Sequence, residues 1–137
     1  MKNDIILPMV AYVLYIGFMA CYMFLTRLNA IRGRNVAMKY FKTYPAESLP
    51  ERVIVTGRHF DNQFQVPVLF LIGSAMHFSL GMVNSLTLIL AWGFVASRFA
   101  HAFIHLGSNH IPARATAYAI GWVLVTGLWL QLAILAY

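Results

Sequence analysis

The chain has 137 residues, of which 61% are hydrophobic and only 10% charged, against roughly one-quarter charged in an ordinary soluble domain. That balance excludes a soluble globular domain, and with it the nucleic-acid partner that a net charge of +6 would otherwise suggest. The lone Cys21 sits inside an apolar run, so an intrachain disulfide is excluded and the thiol reads as a small packing group.

In chain order, the apolar sequence divides into four blocks, 5–26, about 66–83, 86–106 and 115–137. Each is near the roughly 20 residues that carry a helix across about 30 Å of hydrocarbon. The first block follows the weakly basic Met1-Lys2-Asn3-Asp4 and exceeds a signal-peptide core, so it is read as a retained span rather than a cleaved leader. The long connection 29–49 comes next. Within it Ala37, Tyr40, Phe41 and Tyr44 recur at helical spacing, with Lys39 and Lys42 on another side, which predicts a short amphipathic segment at the headgroups. Pro45 ends that segment. Ser48-Leu49-Pro50-Glu51 then has the form of a capping box with proline in the first turn. Helix two is expected to begin there, outside the hydrocarbon, and to continue unbroken. The expected spans are 5–27, 51–81, 86–106 and 113–136.

Basic residues fix the expected orientation. Arg27, Arg32, Arg34, Lys39, Lys42, Arg52 and Arg58 lie at or between the ends of the first two blocks, and Arg98 and Arg114 flank the third connection, whereas the turn 81–85 has none. The positive-inside rule then puts both basic connections in the cytoplasm and both termini outside. The expectation is an all-α, integral membrane four-helix bundle with up-and-down connectivity and a single domain over 1–137. A compact chain with no retention signal suits a bacterial inner membrane.

Two polar patterns interrupt this apolar background. Arg58, Asn62 and Gln65 stand at i, i+4 and i+7, and Arg98, His101 and His105 at i, i+3 and i+7, so each set shares one face of a continuous helix. Both sets fall at the cytoplasmic end. A guanidinium or imidazole at membrane depth costs a few kcal/mol or more unless it faces other helices, water or an anion. The convergence predicts a pocket rich in donors, open to the cytoplasm, with Asp61 its single carboxylate. A small anion with several carboxylates is the complement, because guanidinium binds carboxylate through paired, charge-assisted hydrogen bonds. Arg114 follows Pro112 at the start of the fourth span, where the helix N-terminus favours negative charge and would stabilise a thiolate.

A purely structural alternative stands beside this reading. Arg58, Asp61 and Arg98 could form an interhelical network that specifies packing and binds nothing. His59 and His77 are assigned to packing, and His110 to solvent. His101 and His105, four apart, could share a metal ion, but no third ligand of fixed spacing accompanies them and arginine neighbours repel a cation, so no metal is expected. Tyr12, Tyr15, Tyr22, Trp92, Trp122 and Trp129 read as packing and interfacial anchors.

Taken together, Arg58-x-x-x-Asn62-x-x-Gln65 with Pro67, Arg98-x-x-His101-x-x-x-His105, and Arg114 before the fourth span resemble the MAPEG family, the membrane-associated proteins in eicosanoid and glutathione metabolism. The likeness covers nearly the whole chain, including the long first connection. It implies a homotrimer of four-helix subunits, with glutathione as cosubstrate bound between neighbours near the cytoplasmic side and a lipophilic small-molecule substrate entering from membrane lipid. By that resemblance Arg58, Asn62 and Arg98 would contact the glutathione backbone, Gln65 its amino group, His101 and His105 would support the pocket, and Arg114 would hold the sulfur as thiolate. The implied activity is a glutathione-dependent transferase or peroxidase, and the alternative is a non-catalytic lipid-binding or scaffold protein on the same fold. Two positions depart from the pattern, which commonly has glutamate at Gln65 and tyrosine at His105. Without broken helices or internal symmetry, a transporter is the weakest reading.

Overall fold

A computed structural model describes residues 2–42 and 49–137. Among the described residues the regular structure is helical throughout: α1 (Ile6–Arg32), α2 (Glu51–Asp61), α3 (Val66–Leu80), α4 (Ser85–Leu106) and α5 (Ile111–Ala136), with short 3-10 turns between some of them. Four segments are long and apolar enough to cross a membrane, Lys2–Arg32, Glu51–Leu80, Ser85–Leu106 and Ile111–Ala136. The second of these combines α2 and α3.

That pairing corrects one expectation, because helix two does not run unbroken. After Asp61 the chain tightens into a 3-10 turn, Asn62–Phe64, and Gln65 leaves helical geometry altogether at φ −103° and ψ −110°. Pro67 is the cause: it lacks an N–H and its ring clashes with the carbonyl four residues earlier, so it is tolerated only in the first turn of a new helix. It occupies that first turn in α3. The start of α2 lies at Glu51, with Pro50 as N-cap and no side-chain cap bond. Ser48 of the expected capping box, with Tyr44 and Pro45, lies outside the described residues. The described part of the long connection forms a 3-10 turn, Met38–Lys42, where Tyr40 and Phe41 pack against Ala30, Val36 and Val53.

The core joins α1, α3 and α4 through aromatic rings. Phe70 and Phe94 stack with centroids 4.5 Å apart, and the fully buried Tyr12 meets each at 5.8 Å. Such contacts contribute about 0.5–1.5 kcal/mol each beyond the apolar area they bury. Trp129 ties α5 to α3, its indole N–H donating to the Leu69 carbonyl at 3.1 Å. On the outer faces, Leu14, Phe18, Phe24, Ile89, Val123 and Ile134 are more than half exposed, as lipid or a neighbouring subunit requires.

The α3–α4 turn is built from strong local signals. Gly81 adopts φ 72°, the left-handed conformation that glycine reaches without a Cβ penalty. Its N–H donates to the Phe78 carbonyl at 3.2 Å and that of Met82 to the His77 carbonyl at 2.9 Å, which makes a Schellman end. Asn84 then caps α4, accepting from the Thr87 N–H at 3.0 Å while Thr87 Oγ1 accepts from the Asn84 N–H at 3.2 Å. Gln131 of α5 donates to the same Asn84 oxygen.

Candidate functional site

At the opposite end of the bundle, α2, the 3-10 turn, α4 and α5 surround a cavity of about 520 Å³. Arg58, Asn62, Gln65, His101, His105 and Arg114 all line it. The break before α3 therefore leaves Arg58, Asn62 and Gln65 on a common surface although the helix is not continuous. Arg114 stands in the first turn of α5, where His110 caps the helix by accepting from the Ala113 N–H at 3.4 Å. Its guanidinium donates to Asn109 Oδ1 at 2.8 Å, and Asn109 holds φ 50° in the preceding turn. A positive side chain and a positive helix end thus face one space.

Arg98 occupies a different position. It does not line the cavity. Its guanidinium lies 5.4 Å from the Tyr118 ring centroid and 6.0 Å from that of Phe94, and Tyr118 itself forms part of the cavity wall. The residue is 1% exposed, yet none of its three side-chain nitrogens makes a hydrogen bond among the described residues. The ring faces of Tyr118 and Phe94 supply part of what water would. The position is tight. A Cβ on Gly121 would stand 3.4 Å from Arg98 Nη1 and 3.3 Å from Ser97 Oγ, so glycine is what lets α5 pass so close. The interhelical bond from Arg98 to Asp61, a structural alternative in the sequence, is not made within the chain.

Asp61 lines the cavity as the sequence led us to expect, and three residues of its wall went unassigned there: Tyr118, Ile111 and Ala115. Tyr118 had a legible signal, standing one helical turn beyond Arg114. Ile111 is 66% exposed and gives the mouth an apolar edge. Asp61 offers the one carboxylate in a wall that also holds Arg58 and Arg114.

Behind the cavity, α1 contributes more than packing. Tyr15 OH lies 2.7 Å from His59 Nε2, and His59 Nδ1 lies 3.2 Å from His105 Nδ1. Gln63 donates to the His59 carbonyl at 2.6 Å and accepts a hydrogen bond from Tyr12 OH. His59 therefore belongs to a buried polar chain that ends at the cavity. His77 is also buried, its ring bonded to the Gly73 carbonyl at 2.9 Å, and His110 is exposed.

Comparison with known proteins gives one match. Neither curated proteins nor solved structures yield another. Residues 5–134 match the model of the MAPEG family, a stretch that takes in all but the outer ends of the four membrane-length helices and every residue of the cavity. The chain is a multi-pass membrane protein that belongs to the MAPEG family, whose members act in eicosanoid and glutathione metabolism.

Proposed function

We propose that the protein is a glutathione-dependent transferase or peroxidase acting on a lipophilic substrate. One observation carries the reading: six donor side chains from α2, the 3-10 turn, α4 and α5 line a single cavity at one end of the bundle. Arg58, with Asn62 beside it, takes a glutathione carboxylate, and Gln65 accepts from the amino group through its carbonyl. Arg114 and the N-terminus of α5 hold the sulfur as thiolate, because both favour the charged form. Arg98 acts from behind the wall, through Tyr118 and His101. The thiolate sulfur then forms a bond to an electrophilic carbon of the substrate, and a proton from solvent completes the product. With a hydroperoxide, the sulfur instead takes the terminal oxygen as the O–O bond breaks, the alkoxide leaves as the alcohol with a proton from solvent, and a second glutathione reduces the resulting sulfenic acid to disulfide and water.

The apolar edge at Ile111 is where a substrate dissolved in lipid enters. The assembly is a homotrimer with glutathione between neighbouring subunits; the exposed apolar flanks of the four spans and the open side of the cavity support this. The cavity faces the cytoplasm of a bacterial inner membrane, since the basic connections flank it. The decisive experiment adds glutathione to the purified trimer and records thiolate absorbance in the ultraviolet. The expected result is a thiolate band in the native chain and none in Arg114→Ala with the trimer intact. An equal band in both would reject the assigned role.

A second reading, a non-catalytic lipid-binding or scaffold member, is favoured by Gln65 and His105, where the family pattern commonly has glutamate and tyrosine. Failure of the native chain to bind glutathione, with binding restored by Gln65→Glu, would select it.

A further inference from the structure

We propose that His59, His101 and His105 form a three-imidazole site for a transition-metal ion of the zinc class, at the inner edge of the cavity between α2 and α4. One ring nitrogen from each can be chosen so that all three lie within 4.8 Å of one another. The side chains are only 1–3% exposed. His101 and His105 are one turn apart on α4; the third ligand, which no spacing in the sequence announces, is brought by α2.

Two independent observations point to an ion. First, the Nδ1 atoms of His59 and His105 are 3.2 Å apart. Two imidazole lone pairs approach that closely only with a proton or a cation between them. Nitrogens bound to tetrahedral zinc at about 2.0–2.1 Å are about 3.3–3.4 Å from each other, so this pair already has the spacing of one edge of such a site. Second, both ring nitrogens of His101 are buried without a well-formed hydrogen bond, although the ring stacks on His59 at 5.7 Å and the Arg114 backbone is close enough to interact with it. A buried polar group left in that state is destabilising. A proton shared by His59 and His105 accounts for the first observation only; a metal ion also takes up one His101 nitrogen and leaves the other to the Arg114 backbone.

The surroundings fit the same reading. On the far side of the His59 ring, Tyr15 OH lies 2.7 Å from Nε2, where it can accept the ring proton, while the Gln63 amide nitrogen, a donor only, bonds the His59 carbonyl at 2.6 Å. An outer acceptor of this kind fixes the tautomer and aims the other nitrogen at a metal. An all-imidazole set suits zinc, copper, iron or nickel and not magnesium or calcium, which take oxygen ligands.

Charge sets a condition on the ion. Arg98 acts on His101, and Arg58 and Arg114 on His105, against the lone carboxylate Asp61 in the cavity wall, so a bare dication is repelled. Three neutral ligands leave a fourth position open. His101 and His105 line the cavity, and that position opens toward the arginines, which favour an anion. The ion therefore binds together with hydroxide or chloride from the cavity.

The site does not depend on the thiol ligand, and its test is separate. Untagged protein in detergent micelles is stripped with chelator and titrated with cobalt(II) in chloride buffer. The expected result is one cobalt per chain, with the intense visible bands of a four-coordinate ion that zinc displaces. His59→Ala weakens cobalt binding by more than about 100-fold, beyond the loss typical of an outer-shell change, and Tyr15→Phe, which keeps all three ligands, by about 10-fold. Circular dichroism and thermal melting establish that each variant is folded, and His101→Gln replaces His59→Ala if the latter fails to fold. Absence of the four-coordinate bands in folded native protein overturns the proposal. So does cobalt binding that survives in folded His59→Ala, because the ion then sits elsewhere, as on exposed His110. Glutathione thiolate absorbance, measured without metal, reports the thiol reading independently.

Discussion

At the α3–α4 turn, Asn84, Thr87 and Gln131 bond one another, with the Gln131 carbonyl oxygen and the nearby His77 Nε2 left over among the described residues, whereas at the other end Arg98 and His101 bury five nitrogens without a well-formed hydrogen bond among the described residues. Both regions place polar groups in an apolar bundle. The first is largely completed by its own chain and reads as architecture. The second lacks such partners among the described residues, and uncompensated groups of that kind are tolerated where they serve a site.

That contrast can be broken at either end. The largest effect is expected from Arg114→Ala, which should lower glutathione-dependent turnover about 100- to 1000-fold, as loss of a charge-stabilising donor does elsewhere. Its melting temperature should hardly change, since the bond lost within the chain is one to Asn109; steady-state kinetics and melting of the same preparation check both. Next is Arg98→Leu. Replacing a buried charge by an apolar group should stabilise the ligand-free protein by about 1–4 kcal/mol while removing the stabilisation that glutathione confers. Denaturant unfolding in micelles decides it. A destabilised variant would mean that the assembled protein already satisfies Arg98, and would move that residue to the architectural side of the comparison. Asn84→Ala should cost about 1 kcal/mol, the value of a helix cap, and leave glutathione affinity unchanged. The smallest effect is expected at Gln65, an exposed position, where Gln65→Glu adds one partly screened charge pair of at most about 1 kcal/mol. Calorimetry should show affinity rising by no more than about fivefold.

The sequence carries the spans and the cavity more clearly than what stands behind the cavity. Hydrophobic blocks and helical spacing depend on neighbours within one helix, so Arg58, Asn62 and Gln65 could be put on one face, and Arg98, His101 and His105 on another. The break at Gln65 was also signalled, by Pro67, but its effect on continuity was not. His59 is different in kind. Its partners Tyr15 and His105 are 44 and 46 residues away, and no periodicity relates residues on separate helices. For the same reason Tyr12 and Tyr15, read in the sequence as packing and interfacial anchors, prove to be buried polar partners of the 3-10 turn and of α2 as well. Arg98 shares a helical face with His101, yet packs behind Tyr118 because Gly121 lets α5 come close.

The interruption at Asn62–Gln65 divides one membrane crossing into two rods. In an unbroken helix, adding or removing a residue turns everything beyond it by about 100°, so the azimuth of Arg58 would be locked to that of Phe70. Here the α-helical ladder lapses between them, and the joint can absorb such a change. Residues presented to lipid by α3 and residues presented to the cavity by α2 can thus diverge separately, which lets one scaffold alter its ligand without refitting its membrane surface.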